Sequence, residues 1–209
     1  MVELYFSYPD YINWVNVGWE VDPVYYGDTK PRIFIYWTAD RGKIGGCRNF
    51  DCPGFVQTSR ERIIGEIIPQ VSTYDGPQYA FKVSILRDPA TKNWMLTVGK
   101  ITLGYWSPLL FHDSDNYAFG MSWGGFVVSP PEHAPPMGSG HFPTEGMGKA
   151  CFFSNLLYVD GKDDPSEFAE TSFSVVENKP VNYKAGRLFW SGRDLGSMFY
   201  FGGPAGRVN

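Results

Sequence analysis

The stretch Ile12-Asn13-Trp14-Val15-Asn16-Val17-Gly18-Trp19-Glu20-Val21 decides the fold class, because its side chains alternate in character with a period of two. Successive side chains of a β-strand point to opposite faces of a sheet. One face carries Val15, Val17, Trp19 and Val21. We predict that this apolar face packs in the core. The other face carries Trp14, Asn16, Gly18 and Glu20. This mixed set predicts a face that is turned to solvent or to a groove.

Similar runs recur along the chain between turn signals such as Asp75-Gly76-Pro77, and they read as strands. The predicted strands are Glu3–Tyr8, Ile12–Val21, Arg32–Thr38, Gln78–Leu86, Trp94–Val98, Tyr117–Val128, Ala150–Val159, Thr171–Val176 and Ser197–Phe201. The one helical hint is Ser107–Phe111, which allows one or two turns at most. Many short strands with little helix predict an all-β fold, most simply an antiparallel β-sandwich.

A second predicted strand, Tyr117–Val128, is unusual because one of its faces carries mostly small side chains. Phe119, Met121, Trp123 and Val127 share one face, and the opposite face carries Ala118, Gly120, Ser122, Gly124 and Phe126. Glycine inside a strand often marks a place where another group approaches closely. The small residues therefore indicate either room for a ligand above the sheet or packing against a large aromatic side chain from a neighbouring loop.

Composition bounds the class of protein. The chain has 209 residues and a formal net charge of −4, which argues against a general nucleic-acid binder. Aromatic residues make up 17% of the chain, with 24 glycines and 16 prolines, a balance that favours strands and turns over helices. No apolar run reaches the roughly 18 residues of a membrane span. The first residues lack the pattern of a signal peptide, so the sequence predicts a cytosolic protein or a processed fragment of a secreted precursor.

The three cysteines divide into a close pair and a single residue. Cys47 and Cys52 lie five positions apart, with Gly45-Gly46 before them and Pro53-Gly54 after them. We predict a small disulfide loop here, with two free thiols as the alternative. Cys151 lies in an apolar run and is expected to be a buried, unreactive thiol.

From about residue 12 onward the sequence resembles the neprosin domain, a mostly plant module of secreted proteins. The segments that carry the resemblance, in order, are Gly18-Trp19-Glu20-Val21, Tyr26-Gly27-Asp28, Pro31 to Asp40, Cys47 to Thr58, Pro69 to Gly76, Gly104-Tyr105-Trp106, Trp123-Gly124-Gly125, Met137 to Pro143 and Phe199 to Pro204. The resemblance implies one neprosin-like domain over residues 1–209, lacking the family's propeptide and first strands. It also implies a sandwich of two twisted sheets with a cleft on one sheet, and a secreted, vacuolar or extracellular location.

The same resemblance implies a glutamic endopeptidase that cleaves after proline at acidic pH with two glutamates. The family's first glutamate lies three positions before the Trp of the Gly-Trp pair, and that position is Asn16 here. The second directly follows Trp-Gly-Gly, and that position is Phe126. Asparagine cannot act as a general base, and phenylalanine can neither transfer a proton nor bind an oxyanion. The sequence therefore predicts a neprosin-like protein without an intact catalytic pair.

Three functions remain open at this point. The first is a binding module that takes a peptide or a carbohydrate in the cleft by stacking and hydrogen bonding. The candidate cleft residues are Trp14, Gly18, Glu20, Tyr36, Trp37, Gly120, Ser122, Trp123, Gly124 and Phe126. The second is an active glutamic endopeptidase that uses another acid, such as Glu20. The third is a storage or defence protein without a small-molecule site.

Cofactors and metals are not predicted. The three histidines, His112, His133 and His141, are widely spaced in the sequence. The segment 113–116 resembles part of a calcium loop but lacks the glycine and the distal glutamate of that motif.

Overall fold

A computed structural model describes residues 1–8, 11–39, 44–111, 117–129, 133–160 and 164–206 of the chain. These residues are mostly β-structure, and every paired strand is antiparallel, which confirms the predicted all-β class. The strands are β1 Val2–Tyr8, β2 Tyr11–Glu20, β3 Arg32–Ala39, β4 Ile44–Arg48, β5 Phe55–Gln57, β6 Val83–Arg87, β7 Trp94–Val98, β8 Ile101–Trp106, β9 Gly120–Trp123, β10 Cys151–Phe153, β11 Leu157–Val159, β12 Pro165–Glu167, β13 Lys184–Ala185, β14 Phe189–Trp190 and β15 Ser197–Gly202.

Helices are short throughout the described residues. They are the α-helix Pro23–Tyr26 and the 3₁₀ turns Pro108–Phe111, Pro143–Glu145 and Glu170–Ser172. The 3₁₀ turn Pro108–Phe111 confirms the helical hint in the sequence. No helix in this part of the chain is long and apolar enough to cross a membrane.

Four predicted strands were wrong in extent or in kind. Gln78–Leu86 is a strand only from Val83 onward, as β6. Tyr117–Val128 is reduced to β9, and Ala150–Val159 is divided into β10 and β11. Thr171–Val176 is not a strand, because a 3₁₀ turn covers its first residues. Apolar content alone does not form a strand where no neighbouring strand supplies hydrogen bonds.

The chain divides into two compact units. Unit 1 comprises residues 1–71 and 79–123, and unit 2 comprises residues 72–78 and 124–209. Unit 1 holds a five-stranded sheet in the order β4-β3-β2-β1-β9 and a four-stranded sheet in the order β5-β8-β7-β6. Unit 2 holds a sheet in which β10, β13 and β14 each pair with β15, together with the ribbon β11-β12.

Unit 1 is a β-sandwich, because its two sheets share one hydrophobic core. The five-stranded sheet contributes Leu4, Phe6, Val15, Val17, Ile33, Ile35, Trp37 and Cys47, and the four-stranded sheet and its loops contribute Phe55, Ile64, Trp94, Leu96, Val98, Leu103, Trp106 and Phe111. Aromatic rings meet between the sheets: Phe6 lies 4.8 Å from Trp94, and Trp37 lies 6.3 Å from Trp106, between ring centroids. Aromatic pairs at such distances contribute beyond their burial alone.

In unit 2, the central strand β15 carries the aromatic packing. Phe153 of β10 stacks on Phe199 and Phe201, with centroid distances of 5.3 and 5.2 Å. Both phenylalanines of β15 are buried. The predicted strand Ser197–Phe201 is thus the core strand of this unit.

Candidate functional site

The register of the five-stranded sheet aligns five side chains in one row across all its strands. Glu3 pairs with Asn16 and with Ser122, and Tyr36 pairs with Asn16 and with Arg48. Directly opposed residues of neighbouring strands share a face of the sheet. We call this line, Ser122–Glu3–Asn16–Tyr36–Arg48, the polar row. It lies on the face opposite Leu4, Val15 and Val17, which are in the core.

The centre of the polar row is the carboxylate of Glu3. The amide Nδ2 of Asn16 donates to its Oε1 at 3.0 Å. The hydroxyls of Tyr5 and Ser122 donate to its Oε2 at 2.6 and 2.7 Å. All three donors are neutral groups, so the carboxylate is held in place without a positive charge from any of them.

Tyr5 completes the environment of this carboxylate. Burial, together with the hydrogen bond to Glu3, raises the pKa of the Tyr5 phenol, although Ser122 at 3.1 Å acts in the opposite direction. The phenol is therefore protonated at neutral pH and donates its proton to Glu3.

Asn16 is a nearly enclosed amide, only 6% exposed. Its Nδ2 lies 3.0 Å from Glu3 and 2.8 Å from the sulfur of Met1, while its buried Oδ1 has no hydrogen-bond partner among the described residues. Met1 lies over the neighbouring Gly18, where an added Cβ would be 2.8 Å from the Cα of Met1. Glu3 determines the orientation of the Asn16 amide. In the flipped orientation the amide oxygen, an acceptor, would face the carboxylate, which is also an acceptor.

An aromatic pair adjoins the polar row. The rings of Trp14 and Tyr36 stack with centroids 5.0 Å apart and planes 15° apart. The Tyr36 phenol passes directly over Gly46, where a side chain would collide with it. Gly46 has φ of 82°, a conformation that favours glycine. Glycine at position 46 thus permits both the backbone path of β4 and the position of the tyrosine.

The far end of the row is an ion-pair cluster around Arg48. Its guanidinium lies 2.7 Å from Glu20 and 2.7 Å from Asp22, and it stacks over the Tyr25 ring at 4.0 Å. Tyr26 donates its hydroxyl proton to Glu20 at 2.8 Å. Burial, followed by the hydrogen bond to Glu20, raises the pKa of Tyr26 to about 12. The Glu20 carboxylate is thus neutralised by an arginine, which supports a structural role for it.

The sequence placed most of the candidate residues on the correct face. Trp14, Asn16, Gly18 and Glu20 share one face of β2, and Gly120 and Ser122 are opposite Tyr5 and Glu3 on that face. The same register places Tyr36 beside Asn16.

Two aromatic cleft candidates do not lie on the face of the polar row. Trp37 is 1% exposed and pairs with Val15 in the core, since adjacent residues of a strand cannot share a face with each other. Trp123 pairs with Val2 on the face of β9 opposite Ser122, as the alternation predicts, so it does not line the polar row. Trp19 and Val21 were expected in the core, but they lie at the end of β2 or beyond it and are 38% and 46% exposed.

Gly124 and Phe126 follow the end of β9 and belong to unit 2. The alternation that placed them on the same face as Ser122 does not extend to them. The ring of Phe126 is 72% exposed. Its equivalence to the family's second glutamate stays a prediction from the sequence. His112 and the segment 113–116 lie outside the described residues.

Sequence reasoning missed Glu3, a member of the polar row, and Tyr5, which donates to it. The predicted strand Glu3–Tyr8 contained the signal: Glu3 and Tyr5 alternate with the apolar Leu4 and Phe6. Assigning them to the site also required the register of β1 against β2 and β9, which brings together residues 13 and 119 positions apart.

The predicted disulfide and the free third cysteine are confirmed, but Cys151 is only partly buried. Cys47 and Cys52 form a disulfide with Cα atoms 5.7 Å apart, within the usual range, and Cys151 is free. Burial raises the pKa of the Cys151 thiol, although its side chain is half-buried rather than fully enclosed.

These observations define an all-β protein with an antiparallel sandwich, a disulfide that joins β4 to the loop after it, and a candidate site on one sheet face. The chain belongs to the neprosin family, whose sequence model, described as Neprosin, matches residues 3–204. The match runs through both units, so the resemblance found in the sequence motifs extends over nearly the whole chain.

Proposed function

We propose that the chain is a secreted neprosin-like protein that binds peptides on the polar row and does not cleave them by the two-glutamate mechanism. The observation that supports this proposal is the burial of the Asn16 amide and its hydrogen bond to Glu3. At the position where the family has its first glutamate, Asn16 is a buried amide that donates to Glu3. An amide has no basic oxygen that could take a proton from water at the pH of proteolysis.

Peptide is the favoured ligand because the family resemblance implies a polypeptide substrate. The polar row offers hydrogen-bonding groups of both kinds beside the stacked rings of Trp14 and Tyr36. Such a mixture of aromatic surface and fixed polar groups is typical of ligand sites. The disulfide and the family membership support a secreted protein.

The test is isothermal titration calorimetry with acetylated, amidated heptapeptides that contain proline. Binding to the wild-type protein, with no new fragments in mass spectra after incubation at pH 3–7, is the expected result. Binding of a chito-oligosaccharide or cello-oligosaccharide in place of every peptide would contradict the peptide assignment. Absence of binding by both classes would favour a storage or defence role.

One observation favours a second candidate function, an acid hydrolase. The direct contact between the Asn16 amide and the Glu3 carboxylate pairs an oxyanion donor with a potential base. If fragments do form, cleavage should be lost in Glu3→Gln and retained in Glu20→Gln, because Glu20 is bound by Arg48. This result would identify Glu3, rather than Glu20, as the catalytic carboxylate.

A further inference from the structure

We propose that Glu3 recognises a cationic side chain, lysine or arginine, of the bound peptide. This inference rests on the proposed function and names the chemical class of ligand that the polar row selects. It concerns a residue outside the family's catalytic positions.

The first argument is the charge around Glu3. Four other carboxylates of unit 1 have an arginine partner: Asp28 is paired with Arg32, Glu66 with Arg62, and Glu20 and Asp22 with Arg48. Glu3 has the donors Tyr5, Asn16 and Ser122 instead, and none of them carries a positive charge. A part-buried carboxylate without a counter-ion is costly. A cation supplied by a ligand would offset that cost.

The second argument is the hydrogen-bonding capacity that remains at Glu3. Its Oε2 accepts two hydrogen bonds, whereas Oε1 accepts one, from Asn16. A carboxylate oxygen can accept two, so Oε1 has room for one further donor. The hydroxyl oxygens of Tyr5 and Ser122 can also accept. An ammonium group, with three donors, matches this set of acceptors.

The third argument is the stacked aromatic pair beside the carboxylate. Tyr36 is the cross-strand neighbour of Asn16, and Trp14 is the cross-strand neighbour of Tyr5. The two rings stack with centroids 5.0 Å apart, so each ring keeps its outer face and its edge for a ligand. Aromatic faces attract cations, and they also pack against the aliphatic part of a lysine or arginine side chain.

Arg48, the cation of the polar row, does not fulfil this role. Its guanidinium is engaged by Glu20 and Asp22 and is stacked on Tyr25. Two strands, β2 and β3, lie between β4 and the strand that carries Glu3. Among the described residues Glu3 forms no ion pair, so its charge is left for a ligand to neutralise.

The experiment compares two peptides by calorimetry: Ac-Gly-Gly-Pro-Lys-Pro-Gly-Gly-NH₂ and the same peptide with norleucine in place of lysine. Norleucine keeps the aliphatic chain and removes the ammonium. A charge-assisted hydrogen bond predicts that the lysine peptide binds wild-type protein roughly 10- to 100-fold more tightly. The Glu3→Gln variant should bind the two peptides equally. Glu61→Gln, which removes an exposed carboxylate outside the polar row, should keep the full preference.

A lysine preference that persists in Glu3→Gln would overturn the inference. So would equal binding of the two peptides by wild-type protein, which would leave the proposed peptide binding intact. If neither peptide binds, the proposed function itself fails.

A measurement without mutation covers the case in which Glu3→Gln does not fold. In protein labelled with ¹³C at glutamate, the carboxyl carbon of Glu3 should shift with the lysine peptide and stay in place with the norleucine peptide. An unchanged Glu3 signal at saturation with the lysine peptide would likewise overturn the inference.

Discussion

The side-chain amide of Asn16 donates a hydrogen bond to the carboxylate of Glu3 at 3.0 Å, across the β1–β2 pairing. This contact explains how the sheet tolerates a buried amide at the position of a family glutamate. A glutamate there would place a second carboxylate against Glu3, and like charges at this distance repel strongly. Glu3 and Asn16 are mutually compatible, whereas two ionised carboxylates at these positions would repel each other.

Asn16→Glu should therefore destabilise the protein in a pH-dependent way. Burial and the charge of Glu3 raise the pKa of the introduced carboxyl above its unfolded value of roughly 4.3. A raised folded pKa gives stability that is present below the unfolded pKa and is lost as pH rises through the folded pKa. Thermal melts should show a small loss of Tm relative to wild type at pH 4 and a larger loss at pH 7.

The control for this variant is Asn178→Glu, at an exposed position of unit 2. Its Tm relative to wild type should change little between pH 4 and pH 7. An Asn16→Glu deficit that is the same at both pH values would show that the introduced carboxyl does not meet Glu3.

The alternation in β2 predicted much of this site from sequence alone. Val15 and Val17 are core residues, and Trp14, Asn16 and Gly18 lie on the opposite face, as the period of two requires. The pattern failed at Trp19, one residue before the end of β2, which is 38% exposed although its cross-strand partner Ile33 is buried.

Glu3 could not be assigned to the site in the same way. Its two closest partners outside β1 come from β2 and from β9, more than 100 residues later. Strand alternation determines a face but not which strands are neighbours, and that information lies in the non-local packing. Phe126 was assigned to a face for which there is no strand. The period-two alternation was continued to residue 126, but β9 ends at Trp123.

Asp22 should make stability depend on pH in the acid range. Burial alone would raise its pKa, but the N–H of Tyr25 and the Arg48 guanidinium outweigh that effect and lower it. A lowered folded pKa gives stability that is present above the unfolded pKa and is lost as pH falls through the folded pKa. Asp22→Asn, which can still cap the helix Pro23–Tyr26, should thus lose up to about 1 kcal/mol at pH 6.

Urea unfolding at several pH values checks this prediction. The difference in unfolding free energy between wild type and Asp22→Asn should shrink below about pH 4. The exposed Asp194→Asn should show no such trend over the same range. A difference for Asp22→Asn that is constant down to pH 2 would rule out the Arg48 ion pair as its source.

The Cys47–Cys52 disulfide predicts a simple thiol count. Under denaturing conditions, one thiol should react before reduction and three after it. In the native protein, Cys151 should react slowly because burial raises its pKa and limits access. Replacing both Cys47 and Cys52 by serine should cost about 2 kcal/mol, since the closed loop is short. Three reactive thiols without reductant would contradict both the disulfide and the proposed secretion.

Gly46 should be more sensitive to substitution than another glycine of similar backbone conformation. Gly46→Ala adds a methyl group against the Tyr36 phenol, in addition to the strain at its φ of 82°. Gly99 has φ of 65° but open space around its missing Cβ, so Gly99→Ala carries only the backbone cost of roughly 1–2 kcal/mol. Chemical unfolding should show the larger loss for Gly46→Ala. Equal losses would mean that Tyr36 moves away without cost.

Peptide binding on the polar row is most directly tested by an NMR titration of ¹⁵N-labelled protein with Ac-Gly-Gly-Pro-Lys-Pro-Gly-Gly-NH₂ at pH 5. The side-chain amide signals of Asn16 and the backbone amides of Glu3, Tyr5 and Ser122 should shift with added peptide, and the peptide spectrum should show no cleavage products. Shifts confined to other parts of the chain would contradict the site. Peptide fragments that accumulate with time would contradict the loss of peptidase activity.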